Sequence, residues 1–162
     1  NQTDNTTVTN YLVNLPRQNW RTQVSYKINP EIALRNRMEI VWYDKNGEGS
    51  ENGFLTFFDI VYKPMMRPFS GVLRLQYFET DGYNSRLYAY ENDVLYSYSI
   101  PVFYDKGYRY YMTLNYDMTK KVSFWVRLAQ TIYGDKISVG SGLDEIAGNR
   151  KTEIKLQARY LL

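Results

Sequence analysis

Period-two alternation of apolar and polar side chains constrains this chain more than any other feature. In residues 19–28, Trp20, Thr22, Val24, Tyr26 and Ile28 fall on one side. Asn19, Arg21, Gln23, Ser25 and Lys27 fall on the other. Such a strand needs an apolar medium on one side and a watery or salt-bridged space on the other. Six further stretches read the same way: 32–45, 54–63, 70–80, 108–117, 121–133 and a closing strand through Ile154, Leu156, Ala158, Tyr160 and Leu162. Seven strands of this kind with aromatic ends predict an all-β, antiparallel, up-and-down transmembrane β-barrel.

Composition agrees and narrows the chemistry. Length, at 162 residues, allows one domain or part of one. Aromatic residues make up 17% of the chain and tyrosines number 17. Tyrosine pairs an apolar ring with a polar tip, which suits strands and water–lipid boundaries. Low mean hydropathy and the lack of any long apolar run argue against helical membrane spans. They do not argue against a barrel, where only every second residue meets lipid. Cysteine and histidine are both absent, so disulfides, thiol chemistry and the commonest general base and metal ligand are missing. No cofactor and no enzyme activity is expected. A net charge of +3 is too small to imply nucleic acid. The opening residues lack a signal peptide, so an exported protein would be met here as a mature or internal segment. The glycosylation triplets at Asn1 and Asn5 read as chance in a polar stretch.

The polar faces collect Arg21, Lys27, Arg35, Arg37, Lys63, Arg74, Arg109, Arg127, Lys155 and Arg159, against Glu39, Asp59 and Glu153. An arginine facing lipid near the midplane costs about 2–4 kcal/mol, so this set is assigned to the lumen. Two readings of its positive excess stand. Acids from further strands or a plug pair with the cations and stiffen the wall, or the cations line a path for anionic solutes. The apolar faces end in Trp20, Trp42, Tyr62, Tyr77, Tyr108, Tyr116 and Tyr160, the expected interfacial girdles. The competing architecture is a soluble β-sandwich at the cell surface that binds carbohydrate or a protein, since its strands alternate equally.

Connection lengths alternate short (29–31, 64–69, 117–120) and long (45–53, 81–107, 134–150), as in outer-membrane barrels with short periplasmic turns and long external loops. Seven strands, with the first starting outside, suggest the C-terminal strands of a larger barrel, residues 1–17 being the tail of an external loop and 18–162 the strands. The stretch 86–107 reads either as external excursion or as a small hairpin. Other sites are declined. Glu91-Asn92-Asp93 and Asp144-Glu145 lack the ligand ladder of a calcium loop and read as solvated loop acids. Gly140-Ser141-Gly142 is no phosphate loop. Tyr83, Tyr88, Tyr90, Tyr96, Tyr98 and Tyr104 read as packing for a plug or loop hairpin, with stacking on sugars as the lesser alternative.

Two segments resemble the C-terminal region of large Bacteroidota outer-membrane proteins, some of which carry periplasmic helix-hairpin-helix segments. One runs from Ser85 to Tyr96 and from Tyr104 to Tyr111. The other joins 140–146 to the closing 153–160. The resemblance spans the chain from about residue 12, implies location and fold only, and contains no helix-hairpin-helix segment. The ending Tyr160-Leu161-Leu162 departs from the usual terminal aromatic. The expected function is therefore an outer-membrane β-barrel protein, a channel or a structural component of an outer-membrane assembly. Its expected partners are outer-membrane lipid, further strands of the same polypeptide, or other outer-membrane or periplasmic proteins, with no nucleic acid.

Overall fold

Alternation along each strand becomes a single antiparallel sheet. The structure, a computed structural model, describes residues 15–162. Most of the expected tail 1–17, with Asn1 and Asn5, lies outside the described residues. Seven long strands follow one another: β1 (Arg17–Lys27), β2 (Ile32–Tyr43), β3 (Glu51–Tyr62), β4 (Phe69–Thr80), β7 (Lys106–Asp117), β8 (Val122–Tyr133) and β11 (Arg150–Tyr160). The missing numbers are two short hairpins, β5 (Leu87–Tyr88) with β6 (Val102–Phe103), and β9 (Ser138–Val139) with β10 (Ile146–Ala147). Sheet order is β1-β2-β3-β4-β7-β8-β11, every pair antiparallel.

Short turns are closed by their own side chains. Asn29 Oδ1 accepts from the backbone N–H groups of Glu31 (2.9 Å) and Ile32 (2.7 Å). Thr119 Oγ1 does the same for Lys121 (3.2 Å) and Val122 (3.0 Å). These are the self-bonded turns that Asn and Thr favour. Pro64 and Pro68 stay in the connection between β3 and β4, where no ladder needs their nitrogens.

Strand ends fall within four residues of the alternation in the sequence. β3 begins at Glu51 although the expected loop ran through Gly53. The first three residues are recruited by the next long connection. Asp81 bonds Asn52, and the Glu51 carboxylate accepts from Asn84 (2.9 Å) and from the Ser85 N–H (3.0 Å). The stretch 86–107 contains a small hairpin, and a 3-10 turn spans Gly142–Asp144 in the last long connection.

The described residues form an open antiparallel up-and-down sheet and do not close into a barrel among themselves. β1 and β11 each have one unpaired edge. Both run in the same direction because the strand count is odd, so they cannot meet antiparallel.

Candidate functional site

One face of the sheet is covered, and charge lies under the cover. Pairing places Arg21, Glu39, Arg37, Arg35, Asp59, Arg74, Arg109, Arg127, Glu153, Lys155 and Arg159 on the same face, with Lys27 and Lys63 at its margin. Onto this face folds the longest connection, 81–105, lying against the sheet rather than standing away from it.

Its root is apolar. Leu87, Ala89 and Phe103 are buried with Val41, Leu55, Phe57 and Phe78 of β2, β3 and β4. The Phe78 and Phe103 rings lie 5.1 Å apart. Backbone closeness is made possible by Gly53, where a Cβ would collide with the Ser85 carbonyl oxygen and press on Leu87. Here glycine is required by the close approach of two backbones.

Beyond the root the connection turns polar. The Arg109 guanidinium donates two hydrogen bonds to Glu91, at 2.7 and 2.9 Å, and Arg127 donates to the same carboxylate. Glu91 is fully buried. Asp93 accepts from Lys155 at 2.6 Å. Between them, Asn92 is held from four sides. Its N–H donates to the Tyr111 hydroxyl (3.0 Å), its carbonyl accepts from Thr113 (3.1 Å) and Arg127 (3.2 Å), and its side chain accepts from Arg35 (3.3 Å). Arg74 grips Asp59 with two bonds of 2.6 and 2.8 Å and donates a third to the Tyr90 carbonyl. Its guanidinium also lies 3.6 Å from the Phe57 ring centre, in cation–π contact. Glu153 of β11 stands 3.3 Å from Arg109 and 3.5 Å from Arg127.

Counting charge explains the arrangement. Arg35, Arg74, Arg109, Arg127 and Lys155 face two sheet carboxylates, Asp59 and Glu153, which leaves an excess of three positive charges. Glu91 and Asp93 reduce it to one. An unpaired buried charge is far costlier than a paired one, so the connection is held where the sheet needs it. Asp93 shows the balance. Burial alone would raise its carboxyl, but the Lys155 ammonium, the Val94 N–H and Arg127 hold it below the ordinary aspartate value. At the margin, Asp105 raises Lys136 above its ordinary value through a direct ion pair.

The thirteen charged residues singled out in the sequence thus share a face, and seven of them join one network. Arg21 pairs separately with Glu39 through two 2.8 Å bonds. Arg37 donates to Gln23, and Arg159 donates to Ser123 and lies over Trp125. Lys27 and Lys63 remain exposed. Sequence reasoning missed Glu91, Asn92 and Asp93. Read as solvated loop acids, Glu91 and Asp93 are buried counter-ions, because the connection that carries them folds inward onto five arginine- and lysine-bearing strands. The surplus of cations on the sheet was the available signal. Of the six tyrosines, Tyr96 and Tyr98 at the tip are the most exposed, at 83% and 84%.

Among the described residues nothing covers the opposite face, which is apolar. Trp20, Trp42, Tyr77 and Tyr108 lie toward the end where β1 begins, and Tyr62, Tyr116 and Tyr160 toward the other. Between these rows lie Val24, Ile60, Leu73, Leu75, Leu128, Ile154 and Leu156, all exposed. Within the seven strands the charged side chains on this face are Glu79, Lys106 and Arg150, all at one end. Three polar groups in the band bond within the protein: Asn36 to the Phe57 carbonyl, Thr56 to the Arg37 carbonyl, and Gln130 to Thr152. Eight residues separate Tyr108 from Tyr116, about 26 Å along a strand at roughly 3.3 Å per residue.

A cavity of about 620 Å³ opens between 101–104 and 139–146, floored by Arg109, Thr131, Lys151 and Glu153. Among the described residues no helix is long and apolar enough to cross a membrane, and no cluster of His, Cys, Asp or Glu could hold a metal ion. The chain matches no protein-family model, no curated protein and no solved structure.

Proposed function

We propose that this sheet is part of the wall of a bacterial outer-membrane β-barrel, with the bare face toward lipid and the covered face toward the lumen. One observation carries the reading: the polarity of the sheet is inverted relative to a water-soluble one. The charge network is buried, while a charge-free band nine residues long from Tyr108 to Tyr116, near the roughly 9–11 residues a tilted barrel strand needs to span, is left uncovered among the described residues. Satisfaction of Asn36, Thr56 and Gln130 by protein partners supports it, since hydrocarbon offers none. In this reading the sheet forms one portion of a larger barrel. The 81–105 connection occupies the lumen side, so the role is structural, or that of a narrowed channel, more than that of a wide pore. Of the two earlier readings of the arginines, pairing that stiffens the wall is the one adopted.

The test is extraction of membranes from cells making the protein. Release by detergent only, with gel mobility that changes on heating, is the expected result. Release by a high-salt wash would overturn the bilayer reading and favour a soluble sandwich whose second sheet covers the bare face.

A further inference from the structure

The cavity between 101–104 and 139–146 has a wall that is tied in place. The Tyr133 N–H donates to the Asn149 carbonyl (2.9 Å), the Asn149 side chain donates to the Tyr133 carbonyl (2.8 Å), and the Gly148 N–H donates to the Ile137 carbonyl (2.8 Å). Gly140 turns the chain at φ +93°, where a Cβ would meet the Asp144 carbonyl oxygen at 2.4 Å. Part of the lining is apolar. Phe103 and Val139 are buried, and the Tyr104 ring is held edge-on to Tyr83 at 5.4 Å. The floor is polar. Arg109 and Thr131 are buried, and the Thr131 hydroxyl accepts from Arg109 (2.7 Å) while keeping its own hydrogen to donate. Glu153 is partly exposed and retains free acceptor capacity. Lys151 is exposed and makes no ion pair and no side-chain hydrogen bond among the described residues.

Size and charge together select an occupant. A volume of about 620 Å³ lies within the roughly 300–1,000 Å³ range of small-molecule sites. The charged lining is Arg109 and Lys151 against Asp144, Glu145 and Glu153, two positive to three negative, and Arg109 is already matched by Glu91. A solute of either sign would meet repulsion as well as attraction. A neutral ligand rich in hydroxyls meets neither, and each charged group offers it a strong hydrogen bond. We propose that this cavity binds a short neutral saccharide. Its hydroxyls bond to Lys151, Thr131 and Glu153, and its C–H face lies on Tyr104. A tyrosine already held by its neighbours supplies such contact area at little cost in conformational freedom. Every lining group belongs to 101–153, so the assignment does not depend on whether the bare face meets lipid.

The experiment titrates the complete purified polypeptide with neutral gluco-, galacto-, manno- and xylo-trisaccharides, read by saturation-transfer NMR of the sugar signals. Lys151→Ala and Tyr104→Ala are titrated alongside. Saturable binding of at least one trisaccharide is expected, weakened about tenfold in each variant. Lys151→Ala removes no side-chain hydrogen bond or ion pair of the described fold, so it carries the test even if Tyr104→Ala loosens the connection, and an unchanged urea midpoint checks this. Three results overturn the proposal: no saturable binding of any of the four sugars, undiminished binding by Lys151→Ala, or tighter binding of amino- or carboxylate-bearing versions of the same sugars. Salt-wash release from membranes bears on the bilayer reading alone.

Discussion

The two faces of the sheet are made from the same strands and differ in everything else. The covered face holds Glu91, Arg109 and Arg127 nearly without exposure, whereas the bare face leaves Leu75 58% and Leu156 74% exposed. Water-soluble proteins do the reverse. The difference teaches that alternation alone does not say which face is inside. What decides it here is the 81–105 connection, which carries the missing negative charge and an apolar root to the charged face.

Removing that negative charge should break the comparison most severely. Glu91→Gln leaves Arg109 and Arg127 short of a counter-ion, and stability should fall by about 3–5 kcal/mol, read from the urea unfolding midpoint. Replacing Glu91 and Arg127 together with methionine should recover much of this loss, because the charge is then removed on both sides. On the opposite face, Leu75→Arg should cost about 2–4 kcal/mol in bilayers. A change below about 0.5 kcal/mol, the usual value for an exposed surface site, would mean that the face meets water. Gly53→Ala forces the Ser85 backbone away from β3 and should cost about 1–3 kcal/mol, with faster proteolysis inside 81–105 as the direct readout.

The smallest effect concerns pH. Asp93 has a carboxyl held below its ordinary value in the folded chain, so its stabilising contribution is complete above the unfolded value of about 3.9. That contribution is lost as pH falls through the lower folded value. Acid titration of proteolytic protection at Ser97 should therefore differ between the native chain and Asp93→Asn in this acid range only. Superimposed curves would show that Lys155 does not depend on the Asp93 charge.

The strands were legible because a two-residue period survives in sequence whatever the far side of the sheet contacts. Arg35, Arg74, Arg109 and Arg127 could be placed on one face from spacing alone. Glu91 and Asp93 could not, since loop acids have no period, and Lys155 lies 62 residues beyond Asp93. Gly53 misled the loop boundary for a related reason. Its lack of a side chain serves a backbone more than thirty residues away, and locally it looks like a turn. Closure of the sheet was the expectation least supported by local pattern, because it depends on which strands lie beyond β1 and β11.

The position of 81–105 in the chain also ties strand register to charge. Its apolar root rests on β2, β3 and β4, all made before it, while its two carboxylates are met by Arg109, Arg127 and Lys155 from β7, β8 and β11, all made after it. Each of these strands brings one cation to the connection, so a strand that slips by one residue turns that cation to the opposite face and loses the pair. The pairs to Glu91 and Asp93 therefore exist in one register only of the last three long strands.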